Sequence, residues 1–291
     1  MGYLYETHLH TSWASKCGKS GGDEYLPWYK ERGYDGIFVT DHFYKGNTCV
    51  PKELPWADWV KGYCDAWRRT KEAAAAYGLK VFFGWETSYK GEDFLIYGLD
   101  EAWLLAHPDI ILWDQREQYE QVHAAGGLVV QAHPFRERYY QSEIKLHPYH
   151  ADAWEVGNLG NGAYMDALAM KFAAEHGLKM TCGDDIHSTA RLIAGKPLYA
   201  METEQPLSSE KDYVAMILSG KGWRNLVPEE RFTEDRRNPW FPVQLYGRDH
   251  EPHTLPNEFF PGAESAEDPK AVKVREDAKK LAQAAEQAAL K

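Results

Sequence analysis

Short apolar runs alternating with amphipathic helical patterns constrain this chain more than any other feature. "YLYETHL" (3–9), "GIFVTDH" (36–42), "KVFFGWE" (80–86), "DFLIYGL" (93–99), "LVVQAHP" (128–134), "ADAWEVGN" (151–158) and "LKMTCGDDIH" (178–187) read as strands. Between them, "EYLPWYKERG" (24–33), "WADWVKGYCDAWRRTKEAAAAYG" (56–78), "DQREQYEQVHAAGG" (114–127), "AYMDALAMKFAAEHG" (163–177) and "SSEKDYVAMILSG" (208–220) read as helices, several closed by glycine. The βαβα rhythm predicts an α/β fold with parallel strands. The number of units favours closure into a barrel over an open sheet, although the periodicity fits both.

After about residue 222 the pattern changes. The stretch from Trp223 to Gly262 is Pro-rich and charged without clear periodicity, which predicts an extended wrap or lid. "AEDPKAVKVREDAKKLAQAAEQAALK" (266–291) reads as a mostly exposed terminal helix. Residues 1–222 are therefore expected to form the barrel. Residues 223–291 are expected to be an extension that is not an independent domain.

Composition narrows the function classes. A net charge of −11 argues against a general binder of nucleic acid or anionic membranes, while leaving room for a small basic pocket. Cys17, Cys49, Cys64 and Cys182 are scattered without a CxxC, so reduced thiols are expected rather than a disulfide framework. The first residues carry neither a signal-peptide pattern nor a myristoylation motif, and no apolar run approaches a membrane span. These features together predict a soluble cytoplasmic protein. Its oligomeric state is not encoded in any pattern found here.

Polar groups that can bind metal recur at strand ends. His8 and His10 lie two residues apart on a strand and share a face, with Leu9 opposite. "TDH" supplies Asp41 and His42, "GWETS" Glu86, "AHPF" His133, "AWEVGN" Glu155, and "GDDIH" Asp184, Asp185 and His187. In a parallel barrel the C-terminal strand ends converge on one face, where catalytic residues gather. Burying such groups unpaired is unfavourable, so their recurrence at one end points to a shared metal site.

This set of motifs, "HLHT", "TDH", Glu86, "AHPF", "EVGN" and "GDDIH", resembles the PHP (polymerase and histidinol phosphatase) family over about residues 5–190. The resemblance implies a distorted (β/α)7 barrel carrying two or three divalent ions, Zn, Mn or Fe, and hydrolysis of a phosphoester by a hydroxide bridging them. It implies one ion held by His8, His10, Glu86 and Asp185. A second would be shared by Glu86 and held by His133, and a third held by His42 and His187. Asp184 stands where the family pattern has Ser, and is expected either to support a ligand from behind or to be structural. Cys17 falls where the family often has an Asp, and is a candidate thiolate ligand. His107 is a candidate for the second ion.

Asp185, His187 and Arg191 are the expected catalytic residues. Arg136, Arg138 and Arg191 are expected to bind the substrate phosphate, because guanidinium groups suit bidentate contact with it. Asp41 is expected either to hold a ligand histidine by its free N–H or to cap a strand end. "CGKSGG" lacks the glycine of a phosphate-binding loop, and "GNLGNG" (157–162) reads as a turn before a helix. The expected substrate is a small phosphorylated metabolite or nucleotide. The alternatives are a metal-binding domain without turnover, and C–N hydrolysis, for which the expected carbamylated lysine has no candidate.

Overall fold

The computed structural model describes residues 2–193 and 197–289. Its strands are β1 (Tyr3–Leu9), β2 (Gly36–Val39), β3 (Lys80–Tyr89), β4 (Glu92–Tyr97), β5 (Leu128–Ala132), β6 (Ile144–Leu146), β7 (Ala153–Asn158), β8 (Lys179–Gly183), β9 (Ala200–Thr203), β10 (Trp223–Leu226), β11 (Val243–Tyr246) and β12 (Pro252–Leu255). Its helices are α1 (Gly22–Glu31), α2 (Trp56–Ala74), α3 (Glu101–Ala106), α4 (Gln115–Ala124), α5 (Ala163–Glu175), α6 (Ala190–Ile193), α7 (Glu210–Ser219), α8 (Glu230–Thr233) and α9 (Pro269–Ala289).

Among the described residues, the main sheet has nine strands in the order β10-β9-β1-β2-β3-β4-β5-β7-β8. It nearly closes on itself. Leu9 bridges Ile186 just beyond β8, and Thr7 Oγ1 donates to the Cys182 carbonyl at 2.7 Å. This is a distorted barrel, as the alternation of elements predicts. Inside it, Phe38 stacks on Phe82 at 4.8 Å, with Tyr97 set edge-on to Phe38. Outside, α2 buries Trp59, Val60, Tyr63 and Cys64 on one stripe, and Trp59 and Tyr63 pack on Phe43.

The expectation of parallel strands fails at β4, β9 and β10, which pair antiparallel with their neighbours. At β4 the reason is local. Lys90 and Gly91 form a two-residue link between β3 and β4, both at positive φ (40° and 112°), which leaves no length for a crossover helix. Consequently β3 does not stop at Glu86 but runs on to Tyr89, and Glu86 lies within a strand. The strands read at 36–42 and 178–187 are shorter than their apolar runs suggest. Their last residues turn out of the sheet to form the rim.

Trp223–Leu226, at the start of the stretch read as irregular, is strand β10 and belongs to the barrel sheet. The hairpin β11–β12 pairs with β6 in a second, three-stranded sheet. The last two residues of the expected terminal helix lie outside the described residues.

Helix α8 is fastened through Arg231. Its Nε donates to Asp166 Oδ2 at 2.8 Å, and its NH2 to the carbonyls of Asn158 (3.2 Å) and Asn161 (2.8 Å). Asp166 is fully buried. Burial pushes its carboxyl up to about 6 even against Arg231. Arg231→Ala leaves this carboxylate buried without its cation and should destabilise the chain by about 3–5 kcal/mol near pH 7.5. The folded chain holds the Asp166 proton more tightly than the unfolded chain, whose value is near 3.9. The stability this contributes is full below about pH 4 and lost as pH rises through 6. The Arg231→Ala penalty should therefore shrink at pH 5, as urea unfolding at the two pH values will test.

Candidate metal centre

Strand β1 delivers two imidazoles to one place. His8 and His10 are fully buried, and their Nε2 atoms lie 3.0 Å apart. The backbone around them is fixed: Glu6 accepts from His8 N at 2.6 Å, and Ile186 O from His10 N at 2.9 Å. β8 runs so close beneath that a Cβ on Gly183 would come within 2.6 Å of the His8 Cβ, so only glycine fits there.

Glu86 stands at the middle. Its Oε1 lies 3.2 Å from His133 Nε2 and 3.4 Å from His8 Nε2; its Oε2 lies 2.7 Å from His42 Nδ1 and 3.5 Å from His10 Nε2. Asp185 closes the other side, with Oδ1 3.2 Å from His10 Nε2 and 3.5 Å from His8 Nε2. His187 stacks on His10 at 4.3 Å between ring centroids. Cys17 lines the same cavity as His42 and His187. His133 and Asp185 hold positive φ (32° and 48°), a backbone conformation that is uncommon outside glycine and here aims two side chains into the cluster.

The donor chemistry fits metal ions. Three groups have mutually close donor atoms: His8, Glu86 and His133; His8, His10 and Asp185; and His10, His42 and His187. His42 Nδ1 and Glu86 Oε2, although 2.7 Å apart, are buried and misaligned for a hydrogen bond. Facing imidazole nitrogens 3.0 Å apart match neighbouring ligands of one ion, given metal–nitrogen bonds of about 2.0–2.1 Å.

The local electrostatics are strongly coupled. Burial opposes ionisation of Glu86, but His42 and His8 hold its carboxyl well below the usual range. Burial likewise opposes Asp185, which Arg136, His8 and His187 hold well down. Burial would lower His8 and His42, yet Glu155, Asp185 and Glu86 raise the first, and Glu86 and Cys17 the second. His10, by contrast, is driven down by burial and by the neighbouring His187 and His42. Burial alone would push the Cys17 thiol up, but the neighbouring His187 and His42 bring it down to about 6, favouring the thiolate at neutral pH.

A supporting layer orients these groups. His8 Nδ1 donates to Glu155 Oε1 at 2.9 Å, while Glu155 Oε2 accepts from His133 N (3.1 Å) and Asn158 Nδ2 (2.8 Å). Such carboxylate–histidine pairs fix which ring nitrogen faces inward. Among the described residues, Asp41 hydrogen-bonds to no histidine side chain. It accepts from Thr11 N and from Ser15 Oγ, and Ser15 Oγ lies 3.3 Å from His10 Nδ1. Asp184 stays outside the cluster, accepting from Tyr29 OH and Tyr199 N.

The cluster opens into a cavity of about 490 Å³ lined by Cys17, His42, Asp93, Arg136, Arg138 and Arg191 among others. Arg136 NH2 reaches Asp185 Oδ2 at 2.6 Å and Asn158 Oδ1 at 2.9 Å, and its Nε reaches Asn161 Oδ1 at 2.7 Å. The "GNLGNG" turn is thus the cradle of an arginine, a role its sequence did not suggest. Arg191 NH1 is buried without a partner among the described residues. Asp93 was not singled out in the sequence; it lies 3.7 Å from His133 Nε2, and only the unforeseen β3–β4 hairpin turns it inward. His107 is remote from the cluster. It caps α3, its Nδ1 bonded to the Trp103 carbonyl and its ring stacked on Trp103.

No protein-family model matches the chain, and no curated protein matches it. Among solved structures it is similar to a two-domain protein from Bacteroides vulgatus ATCC 8482 containing a predicted PHP-like metal-dependent phosphoesterase. That match has TM-score 0.55 and 14% identity, and covers 77% of this chain and 64% of that one. A candidate metal-dependent phosphoesterase from Bifidobacterium adolescentis ATCC 15703 matches with TM-score 0.47 and 17% identity, over 74% of this chain and 96% of that one. An amidohydrolase from Chromobacterium violaceum with bound sulfate and no metal matches with TM-score 0.42 and 14% identity, over 63% and 87%. The Bacteroides structure shows a shared fold, and this chain spans 64% of its length.

Proposed function

We propose that this chain is a PHP-type, metal-dependent hydrolase that cleaves a phosphoester of a small phosphorylated metabolite or nucleotide. The observation that carries this reading is the convergence of His8, His10, His42, Glu86, His133, Asp185 and His187 at the floor of a cavity lined by three arginines. These residues would hold two or three divalent ions, with Cys17 as a further donor beside His42 and His187. Ions bound there supply a low-pKa water and offset charge on the phosphoryl oxygens.

The chain's own residues do the remainder. Glu155 and the Asp41–Ser15 pair keep His8 and His10 in fixed orientation. Asp185 joins the metal-binding floor to Arg136, whose guanidinium is held flat by Asn158 and Asn161. Arg138 is brought down to about 10 by burial and by its neighbour Arg136, so an anion placed between them would be stabilised by both. Arg191 offers a buried N–H without a partner among the described residues. The charge pattern of acidic floor and basic wall suits a phosphate more than a neutral amide.

The test is metal analysis of the purified chain followed by phosphate release from a panel of mono- and diesters with added Mn, Zn or Fe. Release that depends on added metal supports the reading. Metal bound in stoichiometric amount with no turnover across the panel would instead favour a metal-binding domain without catalysis. Arg191→Ala should raise KM by about 10-fold or more while changing kcat less, reflecting the loss of one charge-assisted hydrogen bond worth roughly 1.5–3 kcal/mol.

A further inference from the structure

A second histidine cluster lies away from the cavity. His147 follows β6, His150 comes three residues later, and His250 sits in the turn between β11 and β12. One ring nitrogen of each lies within 4.8 Å of the others. His147 is fully buried and neither of its ring nitrogens has a hydrogen-bond partner among the described residues; the Nδ1 atoms of His150 and His250 are likewise buried and unpartnered there. Leaving buried nitrogens unsatisfied is unfavourable, and three such rings converging is hard to explain by packing alone.

The surroundings are built to hold the rings in place. Gln131 Oε1 accepts from His147 N at 2.8 Å, and Tyr246 stacks on the His147 ring at 4.3 Å. His250 N donates to Gly247 O at 3.0 Å, and its φ of 66° turns the ring inward. Glu92 and Asp93 are consecutive on β4 and so face opposite sides of the sheet. Asp93 lines the cavity, while Glu92 Oε1 lies 3.8 Å from His147 Nε2 on the other side. Lys145 Nζ lies 3.4 Å from Glu92 Oε2, and Arg116 and Glu120 also bear on His150. Burial and His250 bring His150 down to about 4, and burial lowers His147.

We propose that His147, His150 and His250 form a second metal site, distinct from the cavity, that takes a zinc ion and clasps the β11–β12 hairpin to the barrel. Three imidazole ligands suit Zn²⁺ and disfavour Mg²⁺ or Ca²⁺. Nitrogens around a tetrahedral zinc stand about 3.3 Å apart, given bonds of about 2.0–2.1 Å, and small side-chain rotations close the present spacing to that value. Glu92 supplies negative charge beside His147, the usual companion of a zinc-bound imidazole. The ion would join the loop after β6 to a turn about a hundred residues further on, shutting a long loop of chain.

The full chain is stripped with chelator, dialysed against Zn²⁺ and analysed for zinc per chain, beside His250→Gln and His150→Gln. Amide deuterium exchange over residues 243–255 is followed with and without zinc. The wild type should carry one zinc more than either variant, and zinc should slow exchange at β11–β12 about 10-fold or more in the wild type alone. Equal zinc content in all three chains overturns the site. A lost zinc with no change in exchange overturns the clasp and keeps the site. If one variant fails to fold, the other decides. Both leave the cavity's ligands untouched, so failure here is separable from failure of the phosphoesterase reading.

Discussion

Glu86→Gln is expected to lower metal affinity at the cavity floor by about 100-fold or more and activity by on the order of 10³-fold. Glutamine has nearly the same volume, so β3 and its packing should survive. What changes is charge. The carboxylate lies within 3.5 Å of His8, His10, His42 and His133, and an amide offers one weaker acceptor and an N–H that faces imidazole donors. Without metal, the variant should also unfold at lower denaturant, because buried imidazoles lose the partner that favours their charged form; about 3–5 kcal/mol is the expected scale. Metal content after dialysis, steady-state turnover and urea unfolding measure the three effects. Full metal retention with full activity would remove Glu86 from the centre.

Asp185→Asn separates electrostatics from backbone fit. Asp185 adopts φ 48°, which asparagine tolerates at least as well, so the turn after β8 should be kept. The lost charge matters on two sides: Oδ1 faces His8 and His10, while Oδ2 receives Arg136. We expect phosphate release to fall by on the order of 10³-fold with the fold intact, mostly in kcat. A drop in KM alone, or unchanged turnover, would leave Asp185 as a partner of Arg136 and nothing more. Circular dichroism and thermal melting report whether the fold is retained.

The elements that could be read in advance are those with a strong local signal. β1, α2, β5, β7 and α5 follow from period and glycine stops, because a buried strand or amphipathic helix must carry its own pattern. β4's direction, β6, β9, β10 and the β11–β12 hairpin did not. They are short edge or pairing strands whose stability comes from neighbours in space, not from their own three to six residues. The Lys90–Gly91 turn is a local clue to the antiparallel β4, which the βαβα rhythm does not predict.

By itself, the sequence determined which side chains could do chemistry: histidines and carboxylates at strand ends are unfavourable to bury unless something binds them, and that holds whatever the fold. The tertiary structure alone decided their grouping. Glu86 meets four histidines because β3, paired with β2 and β4, runs on past the rim to Tyr89. Glu155 orients His8 instead of joining the open face, and the "GNLGNG" turn holds Arg136. His147, His150 and His250 come together because a hairpin more than ninety residues further on pairs with β6. Contacts between distant segments depend on register and sheet closure, and no local stretch of chain encodes those.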